Sequence, residues 1–110
     1  MVGEARRFSG SFSVSATSTA YATVRAATGE QVKLLYGSVY MAATTTGSKA
    51  YIRYEGWPYA DLAFASDASP VATMEETVFI DDANGITAYG FNAASSARTC
   101  YYYFAGVKIN

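Results

Sequence analysis

The feature that most constrains the fold is the aromatic segment at residues 99–109 (TCYYYFAGVKI). β-Branched and aromatic residues favour a pleated strand, in which successive side chains point to opposite faces. One face would carry Tyr101, Tyr103, Ala105, Val107 and Ile109, and the other Cys100, Tyr102, Phe104, Gly106 and Lys108. In a strand with one solvent-exposed face, apolar and polar residues should alternate, and in this segment they mostly do not. We therefore predict that both faces are covered, the second one either by the same chain or by another copy of it.

Length and composition predict one domain with little ordinary solvated surface. The chain has 110 residues, so residues 1–110 are expected to form a single β-sandwich domain around one core. Charged residues make up 15% of the chain, against about 25% in a typical globular domain. This deficit favours surfaces that pack against other subunits. The abundant Ala, Ser and Thr suit such packing and suit a plain β-sandwich equally well.

Period-two alternation recurs along the chain and predicts about eight strands. Residues 7–16 alternate most clearly, with Phe8, Phe12 and Val14 opposite a row of serines. A phase slip at Gly37 is typical of a β-bulge. The sharpest turn signal is DDANG at residues 81–85, because Asn-Gly readily adopts positive φ. The expected strands are 7–16, 20–26, 31–41, 49–55, 59–65, 74–80, 85–91 and 99–109.

These strands predict an all-β fold, an antiparallel two-sheet sandwich. A jelly roll is the most economical arrangement of eight strands, and an immunoglobulin-like topology is the alternative. The expected third strand carries Val32, Leu34, Tyr36, Val39 and Met41, and the expected sixth has Met74, Glu76, Val78 and Ile80 on one face.

The composition argues against several classes of function. There is no basic block for nucleic acid and no apolar run of the roughly 20 residues that a membrane helix needs. The chain has no histidine and one cysteine, which removes histidine-based nucleophile systems, most zinc sites and an intrachain disulfide. Residues 81–85 offer oxygen ligands as calcium loops do, but a solvated hairpin turn is the favoured interpretation. We predict no enzyme activity, no cofactor and no metal site.

Aromatic residues supply the candidate contact residues. Ten tyrosines, six phenylalanines and Trp57 exceed what a small core needs. Three interpretations remain open: packing in the core, packing between subunits, and a platform that stacks sugar rings. The expected subunit-contact anchors are Trp57, Tyr101, Tyr103 and Phe104. Trp57 and Tyr59, at a break in the strand pattern, are the expected sugar platform.

The charges are unevenly placed along the chain. Arg6 and Arg7 lie near the start, while the acidic residues of 75–76 and 81–82 come late. The two groups are interpreted either as intersubunit partners or as two separate solvated faces. Residues 1–7 lack the apolar core of a signal peptide, and we interpret them as an N-terminal docking arm.

Three segments carry a resemblance to a known class of protein: residues 21–37 (YATVRAATGEQVKLLYG), residues 47–55 (GSKAYIRYE) and the closing residues 104–109 (FAGVKI). In this order of strands the chain resembles small jelly-roll virion proteins of tailed phages and archaeal viruses, which serve as decoration, head-fibre or tail-tip subunits. The closing strand is also similar to the aromatic-rich last strand of tumour-necrosis-factor-like trimers. The resemblance implies self-association, often threefold, and attachment to a capsid or tail surface.

We therefore predict a non-enzymatic virion protein, made in the host cytoplasm, that assembles as a homo-oligomer, expected to be a trimer, and decorates a capsid. Its expected partners are its own copies and a major capsid or tail protein, not nucleic acid or membrane. The alternative is a glycan-binding or receptor-binding module of a tail or fibre tip.

Overall fold

In a computed structural model, which describes residues 3–42, 45–55 and 60–110, these residues form nine β-strands in two antiparallel sheets. The strands are β1 (Ala5–Val14), β2 (Thr19–Val24), β3 (Val32–Met41), β4 (Ser48–Tyr54), β5 (Ala60–Asp67), β6 (Val71–Thr73), β7 (Val78–Ile80), β8 (Ile86–Phe91) and β9 (Arg98–Lys108). The first sheet has the order β1-β9-β3-β6, with β7 also paired to β3, and the second has the order β2-β8-β4-β5. The all-β sandwich predicted from the alternation is confirmed.

The strand order is that of a jelly roll. β1 pairs with β9, β2 with β8, β3 with β6 and β7, and β4 with β5, all antiparallel. These pairings are those of one long hairpin that is folded over into two sheets, when β6 and β7 count as a single interrupted strand. The chain therefore has the jelly-roll topology rather than the immunoglobulin-like alternative.

The core lies between the two sheets and is built from alternate residues of each strand. In β1, Phe8 and Phe12 pack against the core and Val14 is fully buried, while the intervening serines are exposed. The buried cluster includes residues from both sheets, with Leu34, Met41, Ile52, Ile86 and Phe104 among its largest members. Gly37 gives Phe104 its space, because a Cβ at that position would overlap the phenyl ring and would lie 2.6 Å from Met74 Sδ.

The predicted sixth strand at residues 74–80 is wrong in extent. The structure places strand only at β6 and β7, on either side of residues 74–77. Glu76 is exposed whereas Met74, Val78 and Ile80 are buried, so the four residues do not share one face. Met74 remains in the core, where its N–H donates to the carbonyl of Gly37. The interruption leaves the two short strands paired with different ends of β3.

The turn at residues 81–85 is confirmed, but it is not a hairpin. It links β7 in the first sheet to β8 in the second. Asp81 holds it, because its carboxylate accepts the N–H groups of Ala83 and Asn84 at 2.8 and 2.7 Å. Gly85 has no positive φ. It is needed because a Cβ there would collide with the carbonyl of Val24.

The start of the described chain belongs to the first sheet. The N–H of Gly3 donates to the carbonyl of Lys108 at 2.6 Å, and Lys108 donates back to Glu4 at 2.8 Å. β1 begins at Ala5, opposite Val107. Residues 3–7 of the predicted docking arm (residues 1–7) are therefore held by β9, while residues 1–2 lie outside the described residues. No helix among the described residues is long and apolar enough to cross a membrane.

Candidate interaction surfaces

The two faces of β9 have different environments. Cys100 and Phe104 on the inner face are fully buried. On the outer face, Tyr101 and Tyr103 are 51% and 37% exposed. The described part of the chain therefore covers one face of β9 and leaves the rings of the other in contact with solvent.

Four tyrosines form what we call the tyrosine patch on the outer face of the first sheet: Tyr36 and Tyr40 of β3, with Tyr101 and Tyr103 of β9. Tyr40 lies directly opposite Tyr101, with ring centroids 6.5 Å apart and planes 20° apart. Tyr36 approaches Tyr103 diagonally, with centroids 6.0 Å apart. Ser38 lies between the two pairs and helps to line a shallow groove of about 380 Å³.

A β-bulge in β3 brings Tyr36 to this surface. The register with β9 shifts between Leu34 and Tyr36, so Leu35 is the extra residue. Leu34 is buried, whereas Leu35 is 52% exposed and Tyr36 follows it on the outer face. The predicted phase slip therefore occurs at Leu35, two residues before Gly37.

A row of small side chains borders the tyrosine patch. On β1, Ser9 and Ser11 lie opposite Tyr103 and Tyr101, and all four side chains are on the outer face. Arg7 is the next outward-facing residue of β1 and lies opposite Ala105, at the margin of the patch. The centre of the surface is thus aromatic and hydroxyl-bearing, with a cation at its edge.

The second sheet carries a different aromatic surface on its outer face. Tyr21, Tyr89, Tyr51 and Phe64 occupy paired positions on β2, β8, β4 and β5 and form a row across all four strands, which we call the aromatic row. Successive ring centroids are 5.4, 4.6 and 6.3 Å apart. The end members Tyr21 and Phe64 are 64% and 62% exposed.

Charged side chains accompany this row, unlike the tyrosine patch. Arg53 Nε donates to Asp61 Oδ1 at 2.7 Å, and the guanidinium carbon lies 5.8 and 5.3 Å from the ring centroids of Tyr51 and Tyr89. Lys49 Nζ lies 5.5 Å from the ring centroid of Phe91. Both arrangements are cation–π contacts, which hold a cation over a ring face.

A second bulge places Asp61 beside Arg53. The register of β4 with β5 shifts after Ile52, which pairs with Ala63, whereas Arg53 pairs with Asp61. Leu62 is the extra residue, and both Leu62 and Ala63 pack against the core. Asp61 therefore shares the outer face with Phe64, although strict alternation would put it on the opposite face.

The predicted contact residues have different positions in the structure. Tyr101 and Tyr103 lie together on the tyrosine patch, and Arg7 is exposed at its margin. Trp57 and Tyr59 lie outside the described residues, so their contact and sugar-platform roles stay predictions.

The predicted partner contacts of Phe104 and Arg6 are not supported by their positions. The side chain of Phe104 lies on the face of β9 that packs against the core. It is fully buried and therefore offers no surface to a partner. Arg6 is engaged within its own chain, with Nε 2.8 Å from Glu30 Oε1 and Nη1 3.0 Å from Glu4 Oε1. These contacts lower the pKa of Glu30, chiefly through the hydrogen bond from Arg6. Arg25 likewise pairs with Glu55 at 2.8 Å rather than remaining available for a second subunit.

Most residues of the two surfaces were not singled out from the sequence. Tyr21 and Tyr51 could have been found, since alternation assigns both to outward faces. Tyr36 and Asp61 could not, because each reaches its face through a bulge.

The described residues offer little for metal chemistry. They contain no group of three or more metal-ligating side chains of the His, Cys, Asp and Glu types. The Asp81 carboxylate is occupied by the N–H groups of its own turn, and these hydrogen bonds lower its pKa. Burial raises the pKa of the Cys100 thiol to about 12, which favours the protonated form.

No protein-family model matches the chain, and no curated protein is similar to it in sequence. Among solved structures, a disulfide-linked pilus of Bacillus endospore appendages is 12% identical, covers 98% of this chain and 91% of its own, and has a TM-score of 0.49. The virus-like particle of extra small virus from the prawn Macrobrachium rosenbergii is 9% identical over 96% and 81%, with a TM-score of 0.40. A CBM4 structure is 21% identical over 84% and 77%, with a TM-score of 0.37. At these TM-scores the likenesses carry no argument about function.

Proposed function

We propose that this chain is a non-enzymatic structural subunit that assembles with its own copies through the tyrosine patch, as an accessory or decoration subunit of a virus particle. The observation that carries the proposal is the open outer face of β9, where Tyr101 and Tyr103 join Tyr36 and Tyr40 in one exposed cluster. Contiguous exposed rings of this kind mark interaction sites more often than inert surface.

The chemistry of the patch suits the centre of a protein–protein interface. Such centres are enriched in tyrosine and depleted of charged residues, because an ion pair removed from water is costly. Tyr40 and Tyr101 present large, stiff contact area with a hydroxyl at the tip, while the charge nearest them along β1 is that of Arg7 at the margin. Packing against a second copy would bury the rings and leave Arg7 at the solvated rim.

The shape of the patch favours pairing with itself. Large rings on β3 and β9 lie beside the small serines of β1. Across a two-fold axis, Tyr101 and Tyr103 of each copy can pack over Ser9 and Ser11 of the other copy. Such an isologous contact closes as a dimer, whereas a trimer needs two different surfaces to meet. The proposed elementary contact is therefore a face-to-face pair, and about 800 Å² per partner would make it stable.

The virion setting of the proposal is supported by the strand order and by the resemblance noted above. Jelly rolls are used by capsid proteins, and lectin domains use them too. A pair joined through the first sheets would leave both second sheets facing outwards. Attachment to a major capsid or tail protein is a further part of the proposal. The threefold symmetry implied by the resemblance is the competing arrangement, and the mass of the assembly in solution distinguishes it from the two-fold pair.

Sedimentation equilibrium across a range of concentrations tests the assembly step. We expect the wild-type chain to approach twice its 11.7 kDa mass. Tyr101→Ser should shift the equilibrium strongly towards the monomer, because it removes a central ring without disturbing the buried face of β9. Tyr21→Ser is the matched control, since Tyr21 is at least as exposed but lies on the other sheet.

Each outcome bears on a different part of the proposal. A wild-type monomer at the highest concentration, or a Tyr101→Ser variant that remains a dimer, would rule out assembly through the patch. A stable mass of three chains that Tyr101→Ser dissociates would keep the patch as the contact and replace the two-fold pair. Circular dichroism of each variant shows whether the fold is retained.

A further inference from the structure

We propose that the slot between Tyr51 and Phe64 on the outer face of the second sheet binds a sugar residue of a glycan. The two rings wall a shallow pocket of about 220 Å³, which Lys49, Arg53 and Asp61 complete. The slot lies on the sheet opposite the tyrosine patch, so this proposal does not depend on self-assembly.

The walls of the slot are held in place before any ligand arrives. Tyr51 stacks on Tyr89 with planes 3° apart, so one face of the Tyr51 ring is covered and the ring is held upright. Phe64 lies on the other side of Tyr51, with its plane inclined by 39°. The two rings are in contact and inclined to each other, so the C–H face of a sugar ring can pack against the solvent-facing side of one of them. Preorganised walls reduce the entropy lost on binding.

The polar groups at the slot match the hydroxyl groups of a sugar. Each hydroxyl both donates and accepts a hydrogen bond, whereas a guanidinium only donates and a carboxylate only accepts. Arg53 Nε and Asp61 Oδ1 are 2.7 Å apart, so this pair presents donors and acceptors side by side. Their side chains are 32% and 47% exposed, which leaves them accessible to a ligand. Aromatic walls with a few placed polar groups are the usual composition of a ligand site.

Charge distinguishes a glycan from two other candidate occupants. A single-stranded nucleic acid is bound by several uncompensated cations along a groove. In this slot Asp61 offsets Arg53, so Lys49 contributes the net charge. A second copy of the chain would bury the Arg53–Asp61 pair in an interface at a high desolvation cost. A neutral or weakly acidic glycan avoids both problems.

The bulge at Leu62 is an independent sign that the slot is a built feature. Without it Leu62 would face Arg53 across the strands, and Asp61 would point towards the core. The bulge instead exposes the carboxylate and sends the leucine inwards. Bulges are over-represented where a strand has to redirect a side chain at a functional site.

A glycan array of neutral and uronic-acid-containing oligosaccharides, read with tag-labelled full-length protein, tests the proposal. The dissociation constant of the best-bound oligosaccharide is then measured by titration calorimetry. We expect Phe64→Ser to weaken that affinity by about tenfold or more, as the loss of an anchoring ring does. Asp61→Asn keeps the size of the side chain and should weaken it as well. Phe79→Ser is the matched control, because Phe79 is 45% exposed on the first sheet and lines neither surface.

Absence of any bound glycan on the array would overturn the proposal, as would tighter binding of a single-stranded oligonucleotide than of every oligosaccharide. Equal losses in Phe64→Ser and Phe79→Ser would also overturn it. Tyr101→Ser separates the two proposals. If the slot acts alone, this variant dissociates the assembly and still binds the oligosaccharide.

Discussion

Tyr51 of β4 and Tyr89 of β8 lie directly opposite each other, and their rings stack with centroids 4.6 Å apart and planes 3° apart. The strand spacing of a sheet, 4.7–4.9 Å, is close to that separation, so cross-strand neighbours can stack without bending either strand. The Arg53 guanidinium carbon lies 5.8 and 5.3 Å from the centroids of these two rings, so the stack also supports this side chain. One pair contact thereby links the stability of the second sheet to the shape of its slot.

A double-mutant cycle on Tyr51 and Tyr89 measures this contact. We expect Tyr51→Ala and Tyr89→Ala each to lower the free energy of unfolding, and the pair to show a coupling energy of about 0.5–1.5 kcal/mol. Urea unfolding of the four proteins at one concentration provides the values. Tyr21 and Phe64, at opposite ends of the aromatic row, serve as the control pair, and their coupling energy should be zero within error. A Tyr51–Tyr89 coupling no larger than that of the control would contradict the prediction.

Asn92 is a buried polar side chain that joins separate segments, and its removal should be costly. Its Nδ2 donates to the carbonyls of Val14 and Ser96 at 3.2 and 2.7 Å, while its Oδ1 accepts from the N–H of Ala94 at 2.9 Å. Asn92→Ala removes these bonds and takes this partner from the buried Val14 carbonyl and Ala94 N–H, so we expect a loss of about 2 kcal/mol or more in the free energy of unfolding. Asn84→Ala, in an exposed turn, should change it by less than about 0.5 kcal/mol. Similar losses for both variants would count against this role for Asn92.

The alternation of the sequence predicted the sandwich because one face of most strands is plainly apolar. From Phe8 to Val14 in β1 and throughout β2, the inward positions hold Phe, Val, Gly and Ala, and the outward positions hold serine, threonine and tyrosine. β9 could not be resolved in this way, since rings occupy both of its faces. The structure turns Phe104 inwards, where Gly37 provides space. Which face of β9 points to the core depends on the residues packed against it, such as Gly37 of β3, and cannot be read from the sequence of β9 alone.

The two bulges explain most of what the sequence did not predict at the candidate surfaces. One extra residue reverses inside and outside for the part of the strand beyond it. Leu35 and Leu62 are both apolar, so neither marks the position of its bulge in the sequence. Strict alternation from Leu34 would put Tyr36 on the inner face, but the bulge places it on the outer face. Asp61 likewise gains a partner in Arg53 that spacing along the sequence does not suggest.

The Arg6–Glu30 ion pair should make stability depend on pH in acid. Arg6 donates from Nε and Nη2 to the two carboxylate oxygens of Glu30, at 2.8 and 3.2 Å, and these hydrogen bonds lower the pKa of Glu30. Because the folded pKa is below the unfolded value of about 4.3, the contribution is present above that pH and is lost as pH falls through the folded pKa. Thermal unfolding from pH 7 to pH 2.5 should show a steeper fall for wild type than for Glu30→Gln. The exposed Glu75 provides Glu75→Gln as control, which should retain the wild-type slope.

This test also separates two roles for Arg6. If the pair acts within one chain, the difference between wild type and Glu30→Gln is independent of protein concentration. A difference that grows with concentration would instead assign the pair to an interface between subunits.

Cys100 should weaken the folded state in alkali. The side chain is fully buried, and burial raises the pKa of its thiol to about 12, above the unfolded value of about 8.5. A raised folded pKa gives stability that is complete below pH 8.5 and declines as pH rises towards 12, because only the unfolded chain ionises readily in that window. Urea unfolding between pH 8 and pH 11 should therefore show a steeper decline for wild type than for Cys100→Ala. The two proteins differ in no other ionisable group, so the difference in slope isolates the thiol, and parallel slopes would contradict the prediction.

The same burial should protect Cys100 from thiol reagents. The thiolate is the reactive species, and the folded chain both excludes the reagent and disfavours ionisation. With Ellman's reagent at pH 8 we expect the folded protein to react far more slowly than the urea-unfolded chain, at a rate that rises with urea in step with unfolding. Cys100 packs beside Gly90, where a Cβ would lie 3.2 Å from its Sγ, so Gly90→Ala should loosen this packing and speed the reaction. Rapid labelling of the wild-type protein without denaturant would mean that the inner face of β9 opens to solvent, and the division of β9 into a core face and a contact face would then fail.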